Sequence, residues 1–244
     1  MPGSEPPAEA FTEDALLGGR VRLTQPREGF RAALDPVLLA AFIPARPGET
    51  VLEAGCGSGA AFLCLAVRVP GVAVQAVERD AEMAALARRN AEGNGAAAMI
   101  HAADIRTPPP LPRCDHAFAN PPYWPGGTPS PQPRRRDAAH EDAALEDWVA
   151  MLARPLRHLG TLTLVLPAGR FAAAAAALRG AGCGSVRLLP LWPRAGVAAK
   201  RVLIQARRGG RGADEVLPGL VLHAADGSFT PAAEAVLRGG AALP

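Results

Sequence analysis

The tetrapeptide Asn120-Pro121-Pro122-Tyr123 could present a pair of hydrogen-bond acceptors beside a flat apolar face. Two successive prolines fix their own φ angles and remove two backbone donors. Asn120 precedes a proline and is pushed into an extended conformation. The product is a rigid turn that offers the Asn120 side-chain oxygen and the Pro121 carbonyl oxygen. Two acceptors so placed can take both hydrogens of one planar NH2 group, and the Tyr123 ring offers a surface for stacking. This suits alkylation of an amide or exocyclic amine nitrogen, whose lone pair is delocalised. Drawing both hydrogens out of plane turns that lone pair toward an electrophile. Positioning and electrostatics then supply most of the rate. No strong base is required, because the nitrogen becomes acidic as it is alkylated. Read without context, the same tetrapeptide is only a turn that ends a strand.

A second constellation lies upstream, at Glu53-Ala54-Gly55-Cys56-Gly57-Ser58-Gly59. Glycines between a strand and a helix let a ligand lie against bare backbone, near the free N–H groups of the helix start. The spacing Gly55-x-Gly57-x-x-Ala60, with Glu78 as a downstream acid, also fits a dinucleotide fingerprint. A dehydrogenase is therefore one reading. The acid at Glu53 argues for another: it would repel a pyrophosphate and could pair with the ammonium of an amino-acid moiety. Glu78 and Asp104 each stand at the end of an expected strand, and both also read as helix-capping surface acids.

The elements that must hold these residues alternate regularly. Short apolar strands are expected at residues 50–53, 72–78, 99–103, 115–119 and 161–166, and two more at 185–191 and 201–205. Helices are expected at 60–68, 81–92, 171–179 and 231–238, and a longer one from about Glu141 to His158. Asp35-Pro36 reads as a helix start before the apolar run 37–43. Residues 21–23 and 29–33 flank a Gln25-Pro26-Arg27-Glu28 turn and suggest a small hairpin, and residues 216–223 an extra strand. The sum is an α/β fold: a doubly wound, mostly parallel sheet of seven strands with a small N-terminal extension. Residues 1–10 read as a disordered tail and 11–244 as one domain, in which the hairpin and helix of 11–48 cover the cofactor.

Composition sets limits. Lys200 is the only lysine among 26 basic residues, and the net charge of +3 permits a nucleic-acid partner without demanding one. Cys56, Cys64, Cys114 and Cys183 form no C-x-x-C pair, and no metal site is expected. The polar, Pro-rich start does not resemble a signal peptide, and no apolar run reaches the roughly 20 residues of a membrane span. A cytoplasmic protein, monomeric or homodimeric, is expected.

With these motifs in place the chain resembles the bacterial tRNA (adenine-N6)-methyltransferases that modify the adenine beside the anticodon of valine tRNA. The resemblance rests on Glu53 to Gly59, on Asn120 to Tyr123, on Leu34-Asp35-Pro36-Val37-Leu38-Leu39 and on Arg201-Val202-Leu203-Ile204. It implies a Rossmann-like methyltransferase sheet and S-adenosylmethionine as methyl donor. Asp35, Glu53, Gly55, Gly57, Gly59, Glu78, Asp104 and Asn120 would line the cofactor. Glu78 would take the ribose hydroxyls, Asp104 the adenine amino group, and Asp35 would lie near the methionine end. Asn120, Pro121 and Tyr123 would be catalytic. Pro122, Trp124 and the loop residues Arg134, Arg135 and Arg136 would meet the substrate, the arginines by contacting phosphates. Leu34 and Pro36 depart from the family's small or hydroxyl residues, and the loop after Tyr123 is this chain's own. The same turn occurs in enzymes that methylate other planar nitrogens. A glutamine-N5 methyltransferase acting on a protein such as a release factor is therefore a rival. A non-catalytic binder of S-adenosylmethionine or RNA is another.

Overall fold

The computed structural model describes residues 11–27, 34–122 and 143–244. In chain order the strands are β1 (Phe11–Leu16), β2 (Val21–Pro26), β3 (Thr50–Ala54), β4 (Ala73–Glu78), β5 (Ala98–Ala102), β6 (Cys114–Ala119), β7 (Leu156–Pro167), β8 (Cys183–Trp192), β9 (Arg201–Arg208), β10 (Glu215–Val216) and β11 (Leu220–Val221). The helices are α1 (Leu34–Phe42), α2 (Ala60–Arg68), α3 (Ala81–Gly93), α4 (Leu145–Ala153), α5 (Phe171–Gly180) and α6 (Pro231–Leu237).

Strands β3 to β11 form one sheet in the order β5-β4-β3-β6-β7-β9-β8-β10, with β11 also on β8. Strand β9 is antiparallel to both neighbours and every other pairing is parallel. The expected seven strands are present, but the sheet has nine. The extra ones come from residues 216–223, where the Pro218-Gly219 pair breaks the expected single strand into two short pieces on the β8 edge.

Alternate residues of each strand face opposite sides, as a period of two requires. Val51, Val165 and Leu203 join the core under α1, α2, α3 and α6. Leu52, Leu164 and Ile204 join the core under α4 and α5. The long expected helix at 141–158 is shorter: α4 stops before Pro155, and β7 begins at Leu156. Residues 156–158 pattern ambiguously, and the tie between the Arg157 guanidinium and the Asp115 carboxylate holds them to β6.

The N-terminal hairpin also differs from expectation. Val21–Pro26 pairs with Phe11–Leu16 through a turn at Leu17–Gly19, so Gln25 and Pro26 lie in a strand and not in the expected turn; the expected partner 29–33 and the tail 1–10 lie outside the described residues. Strand β1 is largely half-buried, so its residues give weak alternation. Its partner β2 is docked by two asparagines one helical turn apart on α3. Asn94 accepts from Arg22 N–H at 2.9 Å and donates to Arg22 C=O at 2.7 Å. Asn90 does the same at Thr24, at 3.0 and 2.8 Å, and also donates to Ser58 C=O at 2.8 Å. Side-chain amides here play the part of a neighbouring strand. Asn90 thereby links the hairpin to the glycine turn.

Helix α1 is fixed at its far end. The Arg68 Nη2 of α2 donates to Ala40 C=O at 2.7 Å and to Ile43 C=O at 2.5 Å, and buried Gln205 donates to Phe42 C=O at 3.0 Å. No helix among the described residues is long and apolar enough to cross a membrane.

Candidate functional site

Strand register assembles the site. Ala54 pairs with both Val77 and Ala119, and Ala119 also pairs with Leu164. Three strands therefore end at one level. Gly55 leaves the sheet after β3 and Asn120 after β6, side by side. Glu78 closes β4 opposite Ala102, and Asp104 lies two residues beyond that partner. These residues share the carboxyl edge, where open α/β sheets take their ligands.

The glycine turn has two distinct reasons for glycine. Gly55 has φ +64°, and a Cβ there would meet the Trp148 ring at 2.5 Å. Gly57 has φ +54° with nothing within 4 Å of a Cβ, so it opens onto the cleft. Gly59 is the N-cap of α2. Trp148 of α4 is half-buried against the core under that helix, and its ring roofs Gly55. The sequence carries no sign of that contact, because it depends on how α4 lies over the turn.

Glu53 and Glu78 close the helix start from below. Glu53 is 3% exposed, and its Oε2 accepts from Phe62 N–H at 3.0 Å. Burial pushes its carboxyl well above the ordinary value. The Phe62 N–H opposes that shift and the Glu78 charge adds to it. Glu78 accepts from Gly57 N–H at 2.8 Å and Asp80 N–H at 3.0 Å. Burial raises it too, against those same donors. A dinucleotide pyrophosphate needs these N–H groups for itself. Here carboxylates occupy them, so an incoming anion would meet negative charge. A cationic group suits the site instead, since it relieves buried carboxylates.

Asp104 is held differently. Arg106 grips both its oxygens, Nε to Oδ1 at 3.0 Å and Nη2 to Oδ2 at 2.6 Å, and the Arg106 N–H donates to Oδ1 at 2.8 Å. The Arg106 bonds lower its pKa to about 2. An adenine amino group reaching Asp104 must share it with Arg106.

Asp35 sits in the first turn of α1, and Arg201 opens β9. The Arg201 Nε donates to Asp35 Oδ2 at 3.2 Å. Register explains the meeting: antiparallel β9 starts where β7 ends, with Arg201 opposite Pro167 on the carboxyl edge. Two segments singled out separately in the sequence thus close on each other across 166 positions.

Asn120 is half-buried, Pro121 buried and Pro122 exposed. Tyr123, Trp124, Arg134, Arg135 and Arg136 lie outside the described residues. Among the described residues no cluster of His, Cys, Asp or Glu is arranged to hold a metal ion. Cys56, Cys64, Cys114 and Cys183 are buried free thiols. Burial pushes those of Cys64 and Cys114 up to about 12, so both remain protonated and inert at neutral pH.

Comparison with known proteins agrees with this arrangement. The methyltransferase small domain family matches residues 34–169. The tRNA1(Val) (adenine(37)-N6)-methyltransferase of Aeromonas hydrophila is 32% identical over 210 residues, covering 84% of this chain and 87% of that protein. The protein of the same name from Cronobacter sakazakii is 36% identical over 147 residues, covering 58% of this chain and 60% of its own length. Among solved structures, a predicted O-methyltransferase from Agrobacterium tumefaciens is 27% identical with a TM-score of 0.72, covering 86% of this chain and 98% of that one. A methyltransferase from Pyrococcus furiosus shares the fold at 22% identity and a TM-score of 0.53, covering 71% and 81% of the two chains.

Proposed function

The chain belongs to the family of the tRNA1(Val) (adenine(37)-N6)-methyltransferases, and on that premise we propose that it methylates the exocyclic N6 of an adenine in tRNA. It is an S-adenosylmethionine-dependent methyltransferase; the finer assignment of acceptor is the proposal. The observation that carries it is the register that sets Asn120-Pro121 beside the Gly55 turn. The acceptor pair and the cofactor cleft then serve one reaction.

The residues present fit the cofactor. Buried Glu53 and half-buried Glu78 favour a ligand that brings positive charge, and Gly57 leaves room for it against the backbone. Glu53 would hold the ammonium, Glu78 the ribose, and Asp104 the adenine amino group, with Asp35 and the covering 11–48 segment over the methionine end. S-adenosylmethionine supplies a methyl group on a sulfonium, ready for in-line displacement. Asn120 Oδ1 and the Pro121 carbonyl oxygen accept the two hydrogens of the substrate amine and turn its lone pair out of the ring plane. After methyl transfer the nitrogen carries an acidic proton, which passes to solvent without a dedicated base. By the family resemblance Tyr123 would stack on the flipped base, and Pro122, Trp124 and Arg134 to Arg136 would meet the substrate.

Transfer of labelled methyl to unmodified tRNA, with DNA and a release factor as parallel acceptors, tests the reading. Label in tRNA that digests to N6-methyladenosine is expected. Label confined to the release factor would overturn the acceptor and keep the chemistry. Label on a hydroxyl of any acceptor would instead favour O-methylation, the activity named for the Agrobacterium protein.

A further inference from the structure

Residues 148–213 contain no aspartate or glutamate but ten arginines and one lysine, while the rest of the chain carries 15 basic and 23 acidic side chains. The small net charge thus conceals two regions of opposite sign. The fold gathers the basic region at one end of the sheet, in β7, β9, β8 and their connections. Away from the cofactor edge its arginines are partly neutralised: Arg157 by Asp115, Arg179 by Asp214 and Arg187 by Glu215. At the carboxyl edge Arg201 is taken by Asp35. Arg170, Arg194 and Lys200 make no ion pair among the described residues.

The turn and the loop that carry these residues meet at one ledge. Strands β7 and β9 run past the level of the neighbouring strand ends, since Leu164 pairs with Ala119 and Pro167 with Arg201. Three further residues at ~3.3 Å each make a ribbon that projects about 10 Å beyond the end of β6, where Asn120 sits. The Ala168 N–H donates to Lys200 C=O at 3.0 Å, which joins the turn ending at Arg170 to the loop of residues 193–200. Arg194 and Lys200 are exposed and Arg170 half-exposed.

We infer that this ledge is an RNA-docking surface, on which Arg170, Arg194 and Lys200 hold backbone phosphates beside the nucleotide whose base enters the Asn120 turn. The inference rests on the RNA-methylating reading above and adds the surface that grips the RNA. Cations fixed on a rigid ribbon beside a cleft suit a polyanion of regular spacing. Phosphate contacts of this kind position a substrate without reading its sequence. The target base can then be extruded into the cleft while its backbone stays on the ledge.

The test compares two charge-matched variants. One carries Arg170→Ala, Arg194→Ala and Lys200→Ala. The other carries Arg154→Ala, Arg207→Ala and Arg211→Ala, which removes three exposed cations of the same region near the opposite edge. Affinity for an unmodified tRNA transcript is measured across salt concentrations, together with methyl-transfer kinetics and S-adenosylmethionine affinity. The ledge variant should lower the log–log salt slope by about 2–3 and raise KM for tRNA at least about tenfold. Its kcat at saturating tRNA and its cofactor affinity should match wild type, and the other variant should keep the wild-type slope. Equal losses in both variants, or an unchanged slope in the ledge variant while wild type methylates tRNA, overturn the inference alone. A wild-type protein that methylates only a protein acceptor overturns the RNA reading, and the ledge assignment with it.

Discussion

Both edges of the central sheet carry acids, and Asp115 at the amino edge is treated in the opposite way from Glu53 and Glu78 at the carboxyl edge. At the amino edge Asp115 accepts from Thr50 N–H at 2.9 Å and pairs with Arg157. Burial raises its pKa, yet those partners together hold it below the ordinary carboxylate range. Beside it His116 bridges Thr161 Oγ1 at 2.8 Å and Glu49 Oε2 at 2.9 Å. At the carboxyl edge Glu53 is buried and Glu78 half-buried, each with backbone donors and without an ion pair among the described residues, and both are pushed up. Asp115 is satisfied within the protein, as Asp104 and Asp35 are at the carboxyl edge by Arg106 and Arg201. Glu53 and Glu78 keep an unmet demand for positive charge, which a ligand can fill. Perturbed acids in a cleft beside left-handed glycines mark a working site, whereas satisfied ones mark a structural seam.

The largest effect expected from breaking this contrast is at Asn120. Asn120→Ala removes one of two acceptors for the reacting amine and should lower kcat about 10²–10³-fold. Cofactor affinity should fall far less than turnover. Wild-type turnover in that variant would sink the two-acceptor mechanism.

Glu53→Gln comes next and should move stability and binding in opposite directions. The amide oxygen can still accept from Phe62 N–H, but the buried charge is gone. The folded pKa of Glu53 lies above its unfolded value, so the protein loses stability as pH rises from about 4.5 through the folded value. The variant escapes that loss. Its ligand-free Tm at neutral pH should rise by about 2–4 °C, with the gain fading toward pH 4. S-adenosylmethionine affinity should fall about 10- to 100-fold. A variant with unchanged Tm and unchanged affinity would show that the edges do not differ as described.

The smallest effect belongs to the amino edge. Burial lowers the His116 pKa although Glu49 works against it. The unfolded chain therefore binds that proton more tightly, and stability falls as pH drops below about 6.5 toward the folded value. His116→Gln should flatten this part of the Tm–pH curve by on the order of 1–2 °C and leave cofactor affinity unchanged. A loss of cofactor affinity would mean that the edges are coupled.

Much of the site was legible in the sequence because it is local. The glycine turn and the Asn120 turn each lie within seven consecutive residues, and their chemistry follows from backbone restrictions that need no neighbour. Glu78 and Asp104 were legible as strand ends. Other contacts were not. Arg106 on Asp104 is close in sequence, but two residues apart gives no expectation of a bidentate grip. Trp148 over Gly55 depends on the tilt of α4. The β1 strand that pairs with β2 was not legible because it is largely half-buried and lacks a strongly apolar face. Asn90 reads as an ordinary helix residue and Asn94 as part of the stop after the helix, since nothing local says that a strand edge will face them.

The sequence by itself determined the alternation of strands and helices, the two rigid turns and the absence of acids from residues 148–213. Each is a property of neighbours along the chain, set by φ restriction, side-chain period or composition. Only the tertiary structure decided which strands end level, that Asp35 meets Arg201, and that the basic residues fall on a ribbon projecting past Asn120. Those depend on strand order and register, which hydrogen bonds between distant segments fix and which no local pattern encodes.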